Sequence, residues 1–216
     1  MYLSREIFNK VASAKDDLIG EHTYVDICQK VEKLFKQYKI RCEFTRESSC
    51  KPKEFQISGY YDDSLKSRKK AINFVVSDQS DTMIITEKYW DRFVFLLGQT
   101  LQHEMVHEYQ YQHDPGDRMT KYYEFKCRSE AKTEEREYLS DWDEIEAYAH
   151  DIALELINYY PDKDPYDLLR NLSKVRKCHS LTYYRKTFRG TDWLQVKKRL
   201  YLKIYKWLPY CNFKEK

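Results

Sequence analysis

Glycine and proline are scarce, five of each in 216 residues, which excludes a collagen-like or low-complexity chain and speaks against a β protein built on many tight turns. No apolar run is long enough to span a bilayer. The first residues, Met1-Tyr2-Leu3-Ser4-Arg5-Glu6, meet charge before any stretch of signal-peptide length, so a soluble cytoplasmic protein with no membrane partner is expected. Six cysteines (Cys28, Cys42, Cys50, Cys127, Cys178, Cys211) are scattered without a Cys-x-x-Cys pair. That pattern excludes a zinc ribbon or a dithiol redox motif and predicts packed free thiols. Neither a Gly-rich phosphate loop nor a Gly-x-Ser-x-Gly elbow occurs, which weakens nucleotide-dependent and serine-hydrolase readings.

What is present is charge, at 34%, and aromatic side chains, at 16%. Together they indicate a globular, helix-rich chain with enough length to bury a real core. The first forty residues carry apolar positions at helical spacing, notably Val25, Ile27, Cys28, Val31, Leu34 and Phe35, and predict a helical supporting layer. From Arg41 the pattern turns to four short β-branched and aromatic stretches: 42–45, 55–61, 71–76 and 82–86. The cluster Ser77-Asp78-Gln79-Ser80-Asp81 between the last two predicts an antiparallel hairpin. Thr86 can cap a helix whose apolar positions Trp90, Phe93, Val94, Leu97 and Leu101 run on to a stop at Asp114-Pro115-Gly116. Residues 117–139 have no clear period, and Tyr122–Cys127 reads as a strand or an irregular excursion. A helix from about Ser140 to Tyr160, another from Pro165 to about Val175 and a third from Asp192 to about Trp207 complete the chain. The expected organisation is a core over 1–160 and a basic, aromatic-rich helical extension over 161–216 packed on it.

His103-Glu104-Met105-Val106-His107 lies on the first of the long helices. Residues four apart on a helix stand one above the other, so both imidazoles face one point. Glu104, one position round, is placed to reach a metal-bound water and poorly placed to be a ligand itself. Two histidine ligands, an adjacent carboxylate base and an open water position are what metal-assisted hydrolysis requires.

A catalytic zinc generally has three protein ligands, so one is missing. The helix 140–160 offers Glu144 and Glu146. Glu146 shares a stripe with Trp142, Ala149, Ala153 and Ile157, on the side expected to pack, where a buried carboxylate would need a cation. Glu144 lines up with Asp151 and Glu155 on what reads as the wet edge. Glu146 is therefore favoured, with Glu144 the other candidate.

A strand pair, a His-Glu-x-x-His helix and a later helix supplying a glutamate resemble the gluzincin metallopeptidases over roughly residues 70–160. Within that group, Glu144-Ile145-Glu146-Ala147 is similar to the Glu-x-Glu-Ala helix of the ImmA/IrrE-like small peptidases, in which the glutamate before alanine binds metal. The resemblance implies an α+β, zincin-like core, with a small, mostly antiparallel sheet packed on the His-Glu-x-x-His helix and the glutamate-bearing helix, and flanking helices outside. It implies Zn2+ held by His103, His107 and Glu146, Glu104 as general base and acid, and a protein or peptide substrate. His150 stands where the family carries an aspartate, and reads as a helix-surface histidine or a group contacting a ligand or substrate. His113, six residues beyond His107, does not match the extended metzincin spacing and is not expected to bind metal. His22 and His179 are expected in surface or structural roles.

Between Arg170 and Lys206 lysines and arginines face Asp192 as the only acid. Interleaved with Tyr183, Tyr184, Phe188, Trp193 and Tyr201, they suit either a solvated helical face or a surface for nucleic acid or another acidic partner. In that respect the chain is also comparable with SprT-like proteases, which act on DNA-bound proteins, although no third histidine is suitably placed. The alternative to an enzyme is a nucleic-acid-associated or structural protein, such as a phage virion component, that keeps the scaffold without turnover.

Overall fold

The structure, a computed structural model, describes residues 5–62, 64–113 and 133–211. The excursion around Tyr122–Cys127 and the Asp114-Pro115-Gly116 stop lie outside these. The chain is α+β, with helix predominating, and no helix among the described residues is long and apolar enough to cross a membrane. Among the described residues two compact units divide within the long fourth helix, one running up to Glu108 and the other from Tyr109 onwards. The boundary expected at residue 160 falls inside the second of these.

The first unit begins with α1 (Arg5–Ser13), α2 (Lys15–Leu18), β1 (Gly20–Thr23) and α3 (Tyr24–Leu34). Thr23 starts α3 by accepting the Asp26 N–H at its side-chain oxygen, which satisfies one of the donors that a helix start leaves unpaired. Tyr24, Ile27, Cys28 and Val31 form the buried stripe of α3, whereas Val25, expected there, is exposed. The strand β1 was not expected. It is four residues long, without an alternating apolar pattern, and it starts at Gly20, whose φ of 123° is readily reached only by glycine.

Three strands follow, β2 (Ile40–Glu47), β3 (Phe55–Tyr61) and β4 (Lys70–Ser77), in the order β2-β4-β3. The β2–β4 pair is parallel, with Ile40 opposite Lys70. The β3–β4 pair is antiparallel, with Phe55 opposite Val76. β4 is the most buried of the three, with Ile72, Phe74 and Val76 in the core and Asn73 and Val75 partly exposed on the other face. The expected hairpin from β4 to β5 (Thr82–Ile85) does not form. Residues 77–81 do turn, with Ser77 Oγ accepting from the Gln79 N–H and Ser80 Oγ from the Thr82 N–H. Both edges of β4 are already occupied, however, so β5 pairs instead with β1, antiparallel, as a separate two-stranded sheet.

A 3-10 turn at Glu87–Tyr89 leads into α4 (Trp90–His113), and Thr86 makes no side-chain cap. Trp90, Phe93, Leu97 and Leu101 of α4 join Ile7, Val31, Phe35, Ile72, Phe74 and Met83 in one buried core. Gly98 lets α1 approach α4 closely, since a Cβ there would meet the Phe8 ring at 2.6 Å.

The second unit contains the end of α4, then α5 (Thr133–Ser140), α6 (Trp142–Tyr159), α7 (Pro165–Arg170), α8 (His179–Thr187) and α9 (Gly190–Cys211). Asp141 caps α6 and Asp164 caps α7, each accepting a backbone N–H two residues on. From Ile145 to Leu156, α6 is buried almost all round. Its principal partner is α9, whose Val196, Leu200, Ile204 and Leu208 recur every fourth residue on the inner face. The Glu155 carboxylate accepts from the backbone N–H and hydroxyl of Ser180 in the first turn of α8, while the Tyr184 hydroxyl donates to the Leu139 carbonyl at 2.9 Å.

Candidate metal centre

The helix α4 presents His103 and His107 one turn apart, as their spacing requires. Their Nε2 atoms are 3.2 Å apart and their rings are inclined at 71°. Two nitrogens each about 2.0–2.1 Å from a tetrahedral zinc would stand roughly 3.3 Å from one another. The observed Nε2 separation is thus close to the one a tetrahedral cation would require.

Glu104 is 3% exposed and lies against β3 where that strand has a glycine. A Cβ on Gly59 would stand 2.6 Å from Glu104 Oε1 and 2.8 Å from the Thr100 methyl. The missing side chain thus makes room for the carboxylate. One turn further on, Glu108 pairs at 2.5 Å with Lys70 of β4, a lysine only 4% exposed. Burial of an ammonium is tolerable only with such a partner, and the pair ties the motif-bearing turn of α4 to the central strand. Neither Gly59 nor Lys70 was singled out by sequence. A lone glycine inside a strand pattern was the available signal for the first, since it marks close approach of another element.

The third member of the group is Glu144. Ligand atoms of His103, His107 and Glu144 all lie within 4.8 Å of one another, and among the described residues no other set of three histidine, cysteine or acidic side chains meets that condition. Two imidazoles and one carboxylate form a donor set suited to zinc, with a coordination position left for water. Glu144 lies in the first turn of α6, and the preceding residue is anchored to the end of α4, where the Gln110 amide donates to the Asp143 carbonyl at 3.0 Å.

Glu146, the favoured ligand from sequence, is not brought to the histidines. Its carboxylate accepts from Lys203 Nζ at 2.7 Å and Lys206 Nζ at 2.9 Å, both on α9. The inference that Glu146 faces a packed side and needs a cation was sound in its physics, but the cations are these two ammonium groups. Burial works to raise the Glu146 pKa, and the two lysines outweigh it and hold the carboxyl below its usual range. The expectation of a wet edge through Glu144, Asp151 and Glu155 also fails, because Asp151 and Glu155 are buried. On a helix covered on nearly every side, periodicity no longer distinguishes a core face from a solvent face.

His150 is likewise buried rather than at a helix surface, with its ring edge-on to Trp207 at 5.0 Å. His22 has a structural place, bridging the Leu18 carbonyl and the Asp26 carboxylate. His113 is exposed, with Nδ1 2.9 Å from the Tyr109 carbonyl, and His179 packs edge-on to Tyr159. All the cysteines among the described residues are free thiols. Much of the basic charge between Arg170 and Lys206 is used internally. Besides the two lysines on Glu146, Arg185 donates to the carbonyls of Val175 and Leu172, Arg170 pairs with Asp167, and the Arg199 guanidinium lies 5.2 Å from the centre of the Trp142 ring.

Comparison of the chain with protein-family models, with curated proteins and with solved structures returned no match.

Proposed function

We propose that this chain is a zinc-dependent peptidase in which His103, His107 and Glu144 hold the metal and Glu104 acts as general base. The observation that carries this reading is the convergence of those three ligand atoms beside a carboxylate that the motif reserves for proton transfer. Zinc, when bound, supplies Lewis-acid polarisation and lowers the pKa of a coordinated water towards about 7. Glu104 receives the proton of the attacking water and passes it to the departing amine nitrogen of the cleaved peptide bond. Its near-complete burial, with the Gly59 backbone alongside, limits the orientations open to the carboxylate and keeps bulk water from competing for it. The resemblance to gluzincins supports the substrate class, an amide of a protein or peptide.

Metal analysis of zinc-loaded, desalted protein tests the ligand set. Wild type, Glu104→Gln and Glu146→Gln are expected to retain about one zinc, while His103→Ala, His107→Ala and Glu144→Ala lose it. Cleavage of a fluorescently labelled unfolded protein should fall by about 10²-fold or more in Glu104→Gln with zinc retained. Full zinc in Glu144→Ala with loss in Glu146→Gln would reverse the ligand assignment. No zinc in wild type, or cleavage unaffected in Glu104→Gln, would overturn the proposal.

A further inference from the structure

Much of the basic charge of the second unit is engaged within it, whereas that around the end of α3 in the first unit is not. Lys33 lies in the last turn of α3, Lys36 opens the 3-10 turn Lys36–Tyr38 that follows, and Lys39 ends that turn. Side chains three residues apart are neighbours on an α-helix and eclipse on a 3-10 helix, so the three lysines fall in one row. Arg68, from the connection between β3 and β4, joins them. All four cations line one open groove of about 470 Å³ in the first unit.

Among the described residues lining this groove, Glu32 is the one acid and none is aromatic. Both oxygens of Glu32 are engaged: one accepts the Cys42 backbone N–H at 2.9 Å and the other pairs with Arg68 at 2.6 Å. Arg68 Nε donates in turn to the Ile40 carbonyl at 2.8 Å, which holds the guanidinium at the groove with one terminal nitrogen outside both contacts. Lys33, Lys36 and Lys39 are exposed, and among the described residues none of them makes an ion pair. The dipole of α3 favours a cation in its last turn and so accounts for Lys33, but Lys36 and Lys39 lie beyond that turn. Lys39 and Arg68 have φ of 53° and 55°, in the left-handed region that glycine enters with least strain. What lysine and arginine contribute at these positions is therefore the cationic side chain rather than the turn.

We propose that this groove binds a small ligand bearing a chain of linked phosphates, as in a nucleoside triphosphate. One phosphate cannot neutralise a row of three unpaired ammonium groups, whereas linked phosphates bring several negative charges along a line. Arg68 suits a terminal or bridging phosphate because its planar fork matches two oxygens at once, and the lysines act as point charges beside it. The volume is that of a small-molecule site. With no aromatic surface to stack a base, the phosphate chain is the part recognised and the rest of the ligand faces solvent. No Gly-rich loop is required, since side-chain charge replaces the backbone N–H groups of such a loop.

Isothermal titration of metal-free, full-length protein with sodium tripolyphosphate tests this, the absence of metal keeping phosphate away from the candidate metal centre. Saturable one-site binding is expected, weakened about ten-fold or more in the double variant Lys36→Gln/Lys39→Gln. The control Lys186→Gln/Lys198→Gln changes net charge equally at exposed positions of the second unit and should alter affinity less than about two-fold. ATP should bind about as tightly as tripolyphosphate and be displaced by it. Absence of saturable binding to wild type would overturn the proposal, as would equal weakening in the two double variants, which would mean diffuse attraction to net charge. Binding of a single-stranded oligonucleotide without binding of tripolyphosphate would also overturn it, in favour of a nucleic-acid backbone.

Discussion

Glu146 and its two lysines permit a quantitative test of the packing of α6 on α9. Glu146→Gln keeps the size and shape of the side chain and removes its charge. The side chain is 17% exposed, as against 25% for Lys203 and 60% for Lys206, so the two pairs differ in worth. A hydrogen bond to a charged, largely buried group contributes about 1.5–3 kcal/mol. The pair with the solvent-exposed Lys206 adds roughly 0.2–1 kcal/mol after screening. Equilibrium denaturation at pH 7 in the presence of a chelator, which removes any metal contribution, should therefore show Glu146→Gln less stable by about 2–4 kcal/mol. The sign of the pH dependence follows from the depressed folded-state pKa. The contribution is complete above the unfolded value of about 4.3 and is lost as pH falls through the lower folded value. The stability gap between wild type and variant should thus close on acidification below about pH 4. A gap under about 0.5 kcal/mol at pH 7, the level of an ordinary surface substitution, or one that persists unchanged into acid, would refute the reasoning. So would rescue of Glu146→Gln by zinc, because it would return this carboxylate to the metal.

Gly59→Ala should cost about 1–3 kcal/mol from overpacking against Glu104 and Thr100, and it should depress cleavage more than a stability loss of that size explains; unchanged turnover would show that Glu104 does not need this space. Tyr184→Phe removes only the hydroxyl that donates to Leu139, leaving a buried carbonyl without that donor, and should lower denaturation free energy by about 1 kcal/mol or somewhat more. Glu155→Gln weakens the charge-assisted bonds to Ser180 and should destabilise α8 by about 1–2 kcal/mol, seen as faster amide exchange at its first turn; exchange as slow as in wild type would argue against a capping role.

The pairing of His103 with His107 was legible in the sequence because it is local. Once residues 90–113 are helical, covalent geometry alone sets two imidazoles one turn apart, and the apolar spacing of Trp90, Phe93, Leu97 and Leu101 sufficed to identify the helix and its buried face. The caps at Asp141 and Asp164 and the buried stripe of α9 are local in the same sense. Strand existence from β2 to β5 was equally visible in composition. What the sequence could not supply was the partner of each element. β4 and β5 are adjacent in the chain and joined by a turn, yet they belong to different sheets, because β2 and β3 compete successfully for both edges of β4. The choice between Glu144 and Glu146 was of the same kind. Both stand on one helix, and nothing within α6 distinguishes which of them meets the lysines of α9 and which is grouped with the histidines. Lys203 and Lys206 lie about sixty residues away, so only the packing of α9 on α6 decides that Glu146, and not its neighbour Glu144, is the carboxylate neutralised by lysine.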